Sequence, residues 1–118
     1  MKKILVVDDD RDVLEFVNYF LSSKGFDVKT HATGYDVPAA VSTFQPNLVL
    51  LDINLPGKSG TDICNELKHA DEELPVILFS AHANINKALN ACRADGFIGK
   101  PFDIKDLISK VWSHIGLS

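Results

Sequence analysis

Leu48-Val49-Leu50-Leu51-Asp52 sets four aliphatic side chains in a row and then stops at a carboxylate. A run this short and solidly apolar reads as a strand buried on both faces, as in a parallel sheet. Three other runs follow the same plan. Ile4-Leu5-Val6-Val7 ends at Asp8-Asp9, Val76-Ile77-Leu78-Phe79 ends at Ser80, and Phe97-Ile98-Gly99 ends at Lys100-Pro101. Segments of helical period separate them. In an open parallel sheet the ligand crevice lies at the carboxyl ends of the strands. The four stops therefore gather three carboxylates, a hydroxyl and an ammonium along one edge. That set suits a magnesium ion and a phosphoryl group.

The rest of the chain alternates strand with helix. The first strand covers about 3–7. A helix over about 11–24 carries Val13, Leu14, Phe16, Val17, Phe20 and Leu21 on one broad stripe, with Asp10 to cap its start and Gly25 to stop it. The second strand, about 26–31, alternates Phe26, Val28 and Thr30 with Asp27, Lys29 and His31, which marks an edge strand. A helix over about 36–44 holds Pro38 in its first turn, where a missing N–H costs little. The third strand is about 47–51. Leu55-Pro56-Gly57-Lys58-Ser59-Gly60 is a loop, because proline and two glycines resist both regular structures.

A helix at about 60–69, a strand at about 76–79, a helix at about 84–93 and a strand at about 97–99 come next. Asp103 caps the last helix, about 104–115, on which Leu107, Val111 and Ile115 centre the apolar stripe and Trp112 stands at its edge. Right-handed crossovers and an edge position for the second strand predict an α/β fold. It is a doubly wound, five-stranded parallel sheet of order 2-1-3-4-5, flavodoxin-like, with helices on both faces.

A chain of 118 residues suits one domain, spanning 1–118, and is too short for two. With 46% hydrophobic and 24% charged residues it can build a core without staples. A net charge of −4 with scattered Lys and Arg argues against a nucleic-acid surface. Cys64 and Cys92 form no CxxC and read as small buried hydrophobes, and the four histidines lack metal-ligand spacing. Nothing resembles a signal peptide or a membrane span, so a reducing cytoplasm is the expected location, with no membrane partner.

VVDDD at 6–10, LLDINLPGKSG at 50–60, FSA at 79–81 and GFIGKPF at 96–102 stand in this order, each at the end of an apolar run. Together they resemble the receiver domain of two-component response regulators, chemotaxis-regulator-like, from Lys3 to about Ile115. The strand order above is also that of the chemotaxis regulator, so it rests partly on the resemblance.

The resemblance implies that Asp52 is the phosphoryl acceptor, attacking a phosphohistidine to form an aspartyl phosphate. It implies Mg2+ held directly by Asp9, by Asp52 and by the backbone carbonyl of Asn54, with Asp8 acting through water. Such an oxygen set leaves the ion several waters, as magnesium prefers. Lys100 would pair with the phosphoryl oxygens, Ser80 would hydrogen-bond one of them, and Phe97 would turn between exposed and buried rotamers. The Lys100-Pro101 bond is cis in the family. The amides of Ile53 and of the Ser80–Ala81 segment are further candidate donors.

Asn54 and His82 lie two residues beyond Asp52 and Ser80; the resemblance implies that they flank the path of the hydrolytic water and bear on the lifetime of the phosphorylated state. Lys58 stands where the family more often carries an apolar residue. The implied partners are a sensor histidine kinase or phosphotransfer protein and a downstream protein. The output face combines the helix at 84–93, the strand at 97–99 and the helix at 104–115, and a weak dimer through it is a further expectation. The chain would catalyse its own phosphorylation and dephosphorylation only.

Competing readings fail on particular residues. Three adjacent aspartates are more than one helix cap needs, and at a buried strand end they repel one another. A phosphohydrolase with an aspartyl-phosphate would want an acid two residues after its nucleophile, where this chain has Asn54. A flavodoxin-like cofactor site needs a Ser/Thr/Gly-rich loop after the first strand, where acids would repel a phosphate. A receiver that works without phosphorylation would not need the full set of Asp8, Asp9, Asp52, Ser80 and Lys100. No part of 1–118 reads as a DNA-binding or enzymatic output domain. A stand-alone receiver, a relay intermediate and a shortened chain remain open.

Overall fold

The apolar runs pair as parallel strands. The computed structural model describes residues 1–80 and 92–115. Its elements are β1 (Lys3–Val7), α1 (Arg11–Ser23), β2 (Asp27–His31), α2 (Val37–Phe44), β3 (Leu48–Asp52), α3 (Gly60–Ala70), β4 (Val76–Ser80), β5 (Gly96–Gly99) and α4 (Ile104–Ile115). The sheet order is β2-β1-β3-β4-β5, as expected. The helix expected at about 84–93 falls mostly outside the described residues, and Cys92 and Arg93, its last two, are not helical.

Strand periodicity divides the core into two layers. Ile4, Val6, Leu48, Leu50, Ile77, Phe79 and Ile98 face α1 and α4, where they meet Leu14, Val17, Leu21, Leu107 and Val111. Leu5, Val7, Val49, Leu51, Val76 and Leu78 face the other way, onto Val37 of α2 and Ile63, Cys64 and Leu67 of α3. Because β1, β3 and β4 are covered on both faces, their sequences are apolar except at Lys3, which opens β1, and at Asp52 and Ser80, which close β3 and β4. β2 is an edge strand, and its residues are exposed or half-buried.

Local signals set the helix ends. Asp10 caps α1 by accepting from the Asp12 N–H, and Ser59 caps α3 by accepting from Thr61. Asp103 accepts from the Lys105 N–H at the start of α4. Gly25 follows α1 with φ +93°, a conformation that glycine adopts freely. Three expectations need correction. Phe16 is 43% exposed and lies off the buried stripe of α1. On β2 it is His31 that is half-buried, whereas Thr30 is exposed. On α4 the buried residues are Leu107, Ile108 and Val111, and Trp112 packs half-buried against the α1-side core. In each case the stripe is rotated by what the neighbouring elements cover, which the period alone does not specify. No helix among the described residues is long and apolar enough to cross a membrane.

Candidate functional site

The two-residue period carries three charged side chains to one side of the sheet edge. Asp52 continues the row Leu48–Leu50, Asp8 lies one step beyond the row Ile4–Val6, and Lys100 one step beyond Ile98. Parallel pairing aligns these strand ends, with Val7 opposite Leu51 and Asp52 opposite Phe79. The Lys100 N–H donates to the Ser80 carbonyl at 2.8 Å, extending the β4–β5 ladder by one step.

The acids converge. Asp8, Asp9 and Asp52 each offer a carboxylate oxygen within 4.8 Å of the others. Asp8 is fully buried, Asp52 is 4% exposed and Asp9 is exposed. A buried carboxylate needs partners for both oxygens. Asp8 Oδ1 accepts the Asp10 N–H at 2.9 Å, and Oδ2 accepts Lys100 Nζ at 2.6 Å. Lys100 Nζ reaches Asp52 Oδ2 at 3.4 Å and stands 4.8 Å from the centre of the Phe79 ring.

Burial and the Asp8 charge push the Asp52 carboxyl above its ordinary value, against the Asn54 amide and Lys100, which lower it; burial is the largest influence. For Lys100, burial acts against the charge, but Asp8 and Asp52 outweigh it, and the ammonium is held above its ordinary value.

Asn54 links the nucleophile candidate to the hydroxyl. Its N–H donates to Asp52 Oδ1 at 3.2 Å, and its side-chain Nδ2 donates to Ser80 Oγ at 3.3 Å. Ser80 is buried at the end of β4. Phe97 is half-buried and packs against the α2–α3 core, and the Lys100–Pro101 bond is cis. The Ile53 N–H is not turned to the site, since it donates to the Phe79 carbonyl at 3.2 Å. Lys58 pairs with Glu66 of α3 and makes no ion pair with the acid cluster. His82 and Ala81 lie outside the described residues.

Three hard oxygen donors of one charge, open to solvent at Asp9, fit a divalent cation such as magnesium. Together they carry more negative charge than Lys100 neutralises, so a cation would find uncompensated charge there. Tyr35 was not anticipated at the rim of this region. Its carbonyl accepts from His31 Nε2 at 2.6 Å, and its ring lies over Gly57. Glycine in the 55–60 loop hints at a close approach, but no local signal names the partner.

The response regulator receiver domain model matches residues 4–112. The DNA-binding response regulator MtrA of Mycobacterium tuberculosis (strain ATCC 25618 / H37Rv) is 37% identical over 116 residues, covering 97% of this chain and 50% of that protein. This chain thus spans about half the length of that relative. A response regulator receiver domain protein (CheY-like) from Methanospirillum hungatei JF-1 superposes with TM-score 0.89 at 31% identity, over 96% of this chain and 92% of that one. The response regulator TrrA of Thermotoga maritima, solved in complex with Mg(2+)-BeF, superposes with TM-score 0.88 at 29% identity, over 97% and 99%. With the family model spanning nearly the whole sheet and its strand-end acids, the chain belongs to the response regulator receiver domain family.

Proposed function

We propose that the chain is a phosphorylation-activated switch that takes a phosphoryl group from a histidine kinase or phosphotransfer protein onto Asp52, with Mg2+ required. The observation that carries this reading is the convergence of Asp8, Asp9 and Asp52 with Lys100 at the strand ends. Asp9, Asp52 and the Asn54 carbonyl would hold the ion, with Asp8 behind them. Bound there, magnesium supplies positive charge that neutralises the phosphoryl oxygens. That the similar TrrA was solved in complex with Mg(2+)-BeF supports the choice of ion.

Phosphoryl transfer asks the protein mainly for position and charge. An Asp52 carboxylate oxygen forms a bond to phosphorus while the N–P bond of the phosphohistidine breaks, and the electron pair leaves with the imidazole nitrogen. Lys100 moves from its carboxylate partners to a phosphoryl oxygen. Ser80 turns its hydroxyl to another, which takes it from Asn54. Phe97 is opposite Leu78 in the β4–β5 register, so it emerges on the same face as Ser80, two residues further along β4. A shift of Ser80 therefore opens space beside Phe97, and the face around β5 and α4 changes its affinity for a downstream protein.

Turnover of free substrates is not part of this reading, since the residue two beyond Asp52 is Asn54 rather than an acid. The cytoplasm is the proposed location. MtrA is a DNA-binding regulator, but this chain matches only half of it, so any nucleic-acid contact is proposed to lie outside this domain.

Incubation with acetyl phosphate and magnesium, followed by intact mass measurement, is expected to add a single phosphoryl group. Asp52→Asn or removal of the metal should abolish the gain. Equal labelling of Asp52→Asn would refute the assignment.

A further inference from the structure

Tyr35 is 59% exposed, yet its backbone is tied down on both sides. Its N–H donates to Thr33 Oγ1 at 3.2 Å, and its carbonyl accepts from His31 Nε2 at 2.6 Å, so that nitrogen carries the proton. The His31 carbonyl in turn accepts the Asp8 N–H at 3.1 Å. A turn fixed this way presents its side chain in one direction, and here the ring tip rests on Gly57. A Cβ at Gly57 would stand 2.2 Å from both Cζ and Oη of Tyr35, and Gly57 has φ +83°, so glycine is required there twice over. Next to it, a Cβ on Gly34 would stand 2.9 Å from the Lys58 carbonyl oxygen.

The loop beneath the ring is the one that carries Asn54. Its neck is closed by the Gly60 N–H, which donates to the Ile53 carbonyl at 2.8 Å, and Gly60 lies so close to the Asp52 backbone that a Cβ would collide with it. Its tip is held from outside by Tyr35 on Gly57, by Gly34 on Lys58 and by the Lys58–Glu66 pair. Between neck and tip sits Asn54, bonded to both Asp52 and Ser80.

We propose that Tyr35 is a positioning residue for the metal site: seated on Gly57, it holds the 53–59 loop closed so that the Asn54 backbone stays beside Asp52. The proposal rests on the switch reading above for the presence of the metal. It assigns to an exposed aromatic on the segment between β2 and α2 control over how tightly the ion is held. Removing the ring frees the loop tip, and part of the binding energy is then spent on ordering the loop.

Magnesium binding by calorimetry and amide hydrogen exchange over 53–58 test this directly on the whole chain. Tyr35→Ala should weaken magnesium binding by about three- to tenfold, at or below the low end of effects seen when partners of metal ligands are removed. It should also speed exchange in the loop, with the melting temperature nearly unchanged because the ring is mostly in solvent. Tyr35→Phe keeps the ring and should behave as the parent chain. If Tyr35→Ala binds magnesium within twofold of the parent, or only lowers the melting temperature, the proposal is overturned while the switch reading stands. Failure of the parent chain itself to bind magnesium would overturn both.

Discussion

Lys100 and Asp8 meet at 2.6 Å across ninety-two residues of sequence, and they do so with Asp8 fully buried. The pair joins the end of β5 to the end of β1 over the top of β3 and β4. A buried carboxylate stripped of its cation is left with an uncompensated charge.

Lys100→Ala should therefore destabilise the metal-free protein by about 1–3 kcal/mol, somewhat less than the loss of a fully buried pair because Lys100 keeps some contact with solvent. Urea unfolding measures it. Magnesium should restore much of the loss, since a divalent cation can replace the missing ammonium. An unchanged midpoint would mean that Asp8 finds another partner.

Asp9→Asn acts in the opposite direction. It removes one of three mutually repelling carboxylates, so the metal-free melting temperature should rise by about 2–5 °C. In the parent chain magnesium at a hundredfold excess over its dissociation constant should add about 2.7 kcal/mol of stability. The Asn variant should show only a small part of that gain. Melting curves with and without magnesium separate the two effects, and a full magnesium response in Asp9→Asn would exclude Asp9 as a ligand.

At the other end of the sheet, Lys68 is 5% exposed and donates to the carbonyls of Glu72 and Leu74 and to Asp95 Oδ2, at 2.7, 3.0 and 2.9 Å. Asp95 also accepts the Val76 N–H at 2.9 Å. This cluster ties the end of α3 to the starts of β4 and β5. Lys68→Ala should cost about 2–4 kcal/mol in urea unfolding, because a buried carbonyl, a part-buried carbonyl and a carboxylate lose their donor together. Phosphorylation by acetyl phosphate at a temperature where the variant is folded should be unaffected, since the cluster lies at the opposite edge from Asp52.

Cys64 and Cys92 are both buried thiols, and they meet through a side-chain hydrogen bond in the α2–α3 core. Burial first, and Cys92 second, push the Cys64 thiol well above its ordinary value. Both thiols should resist a disulfide reagent in the native protein and react fully once it is unfolded. The raised value has a sign. In the unfolded chain Cys64 loses its proton near pH 8.5, while in the folded chain it keeps it. Its contribution is therefore complete below about pH 8 and is lost as pH rises above the ordinary thiol value. Cys64→Ala should flatten the alkaline limb of the stability curve, and an unaltered limb would contradict the assignment.

Much of this molecule is written in local pattern. Leu48–Asp52 announces its strand because burial on both faces demands an unbroken apolar run, and the stops at Asp8, Asp52, Ser80 and Lys100 follow from parallel strands ending at one edge. Asp10 and Asp103 declare helix starts because a cap acts over two or three residues.

The tertiary structure alone decided the rest, because it depends on residues that sequence separation hides. That Asp8 rather than Asp52 takes the shorter bond to Lys100, and that Lys58 turns to Glu66, are outcomes of packing. So are the exposure of Phe16 and the burial of Lys68. Tyr35 on Gly57 is the plainest case: period and capping speak for each residue within its own element, whereas two loops meet only after the strands beneath them have been placed.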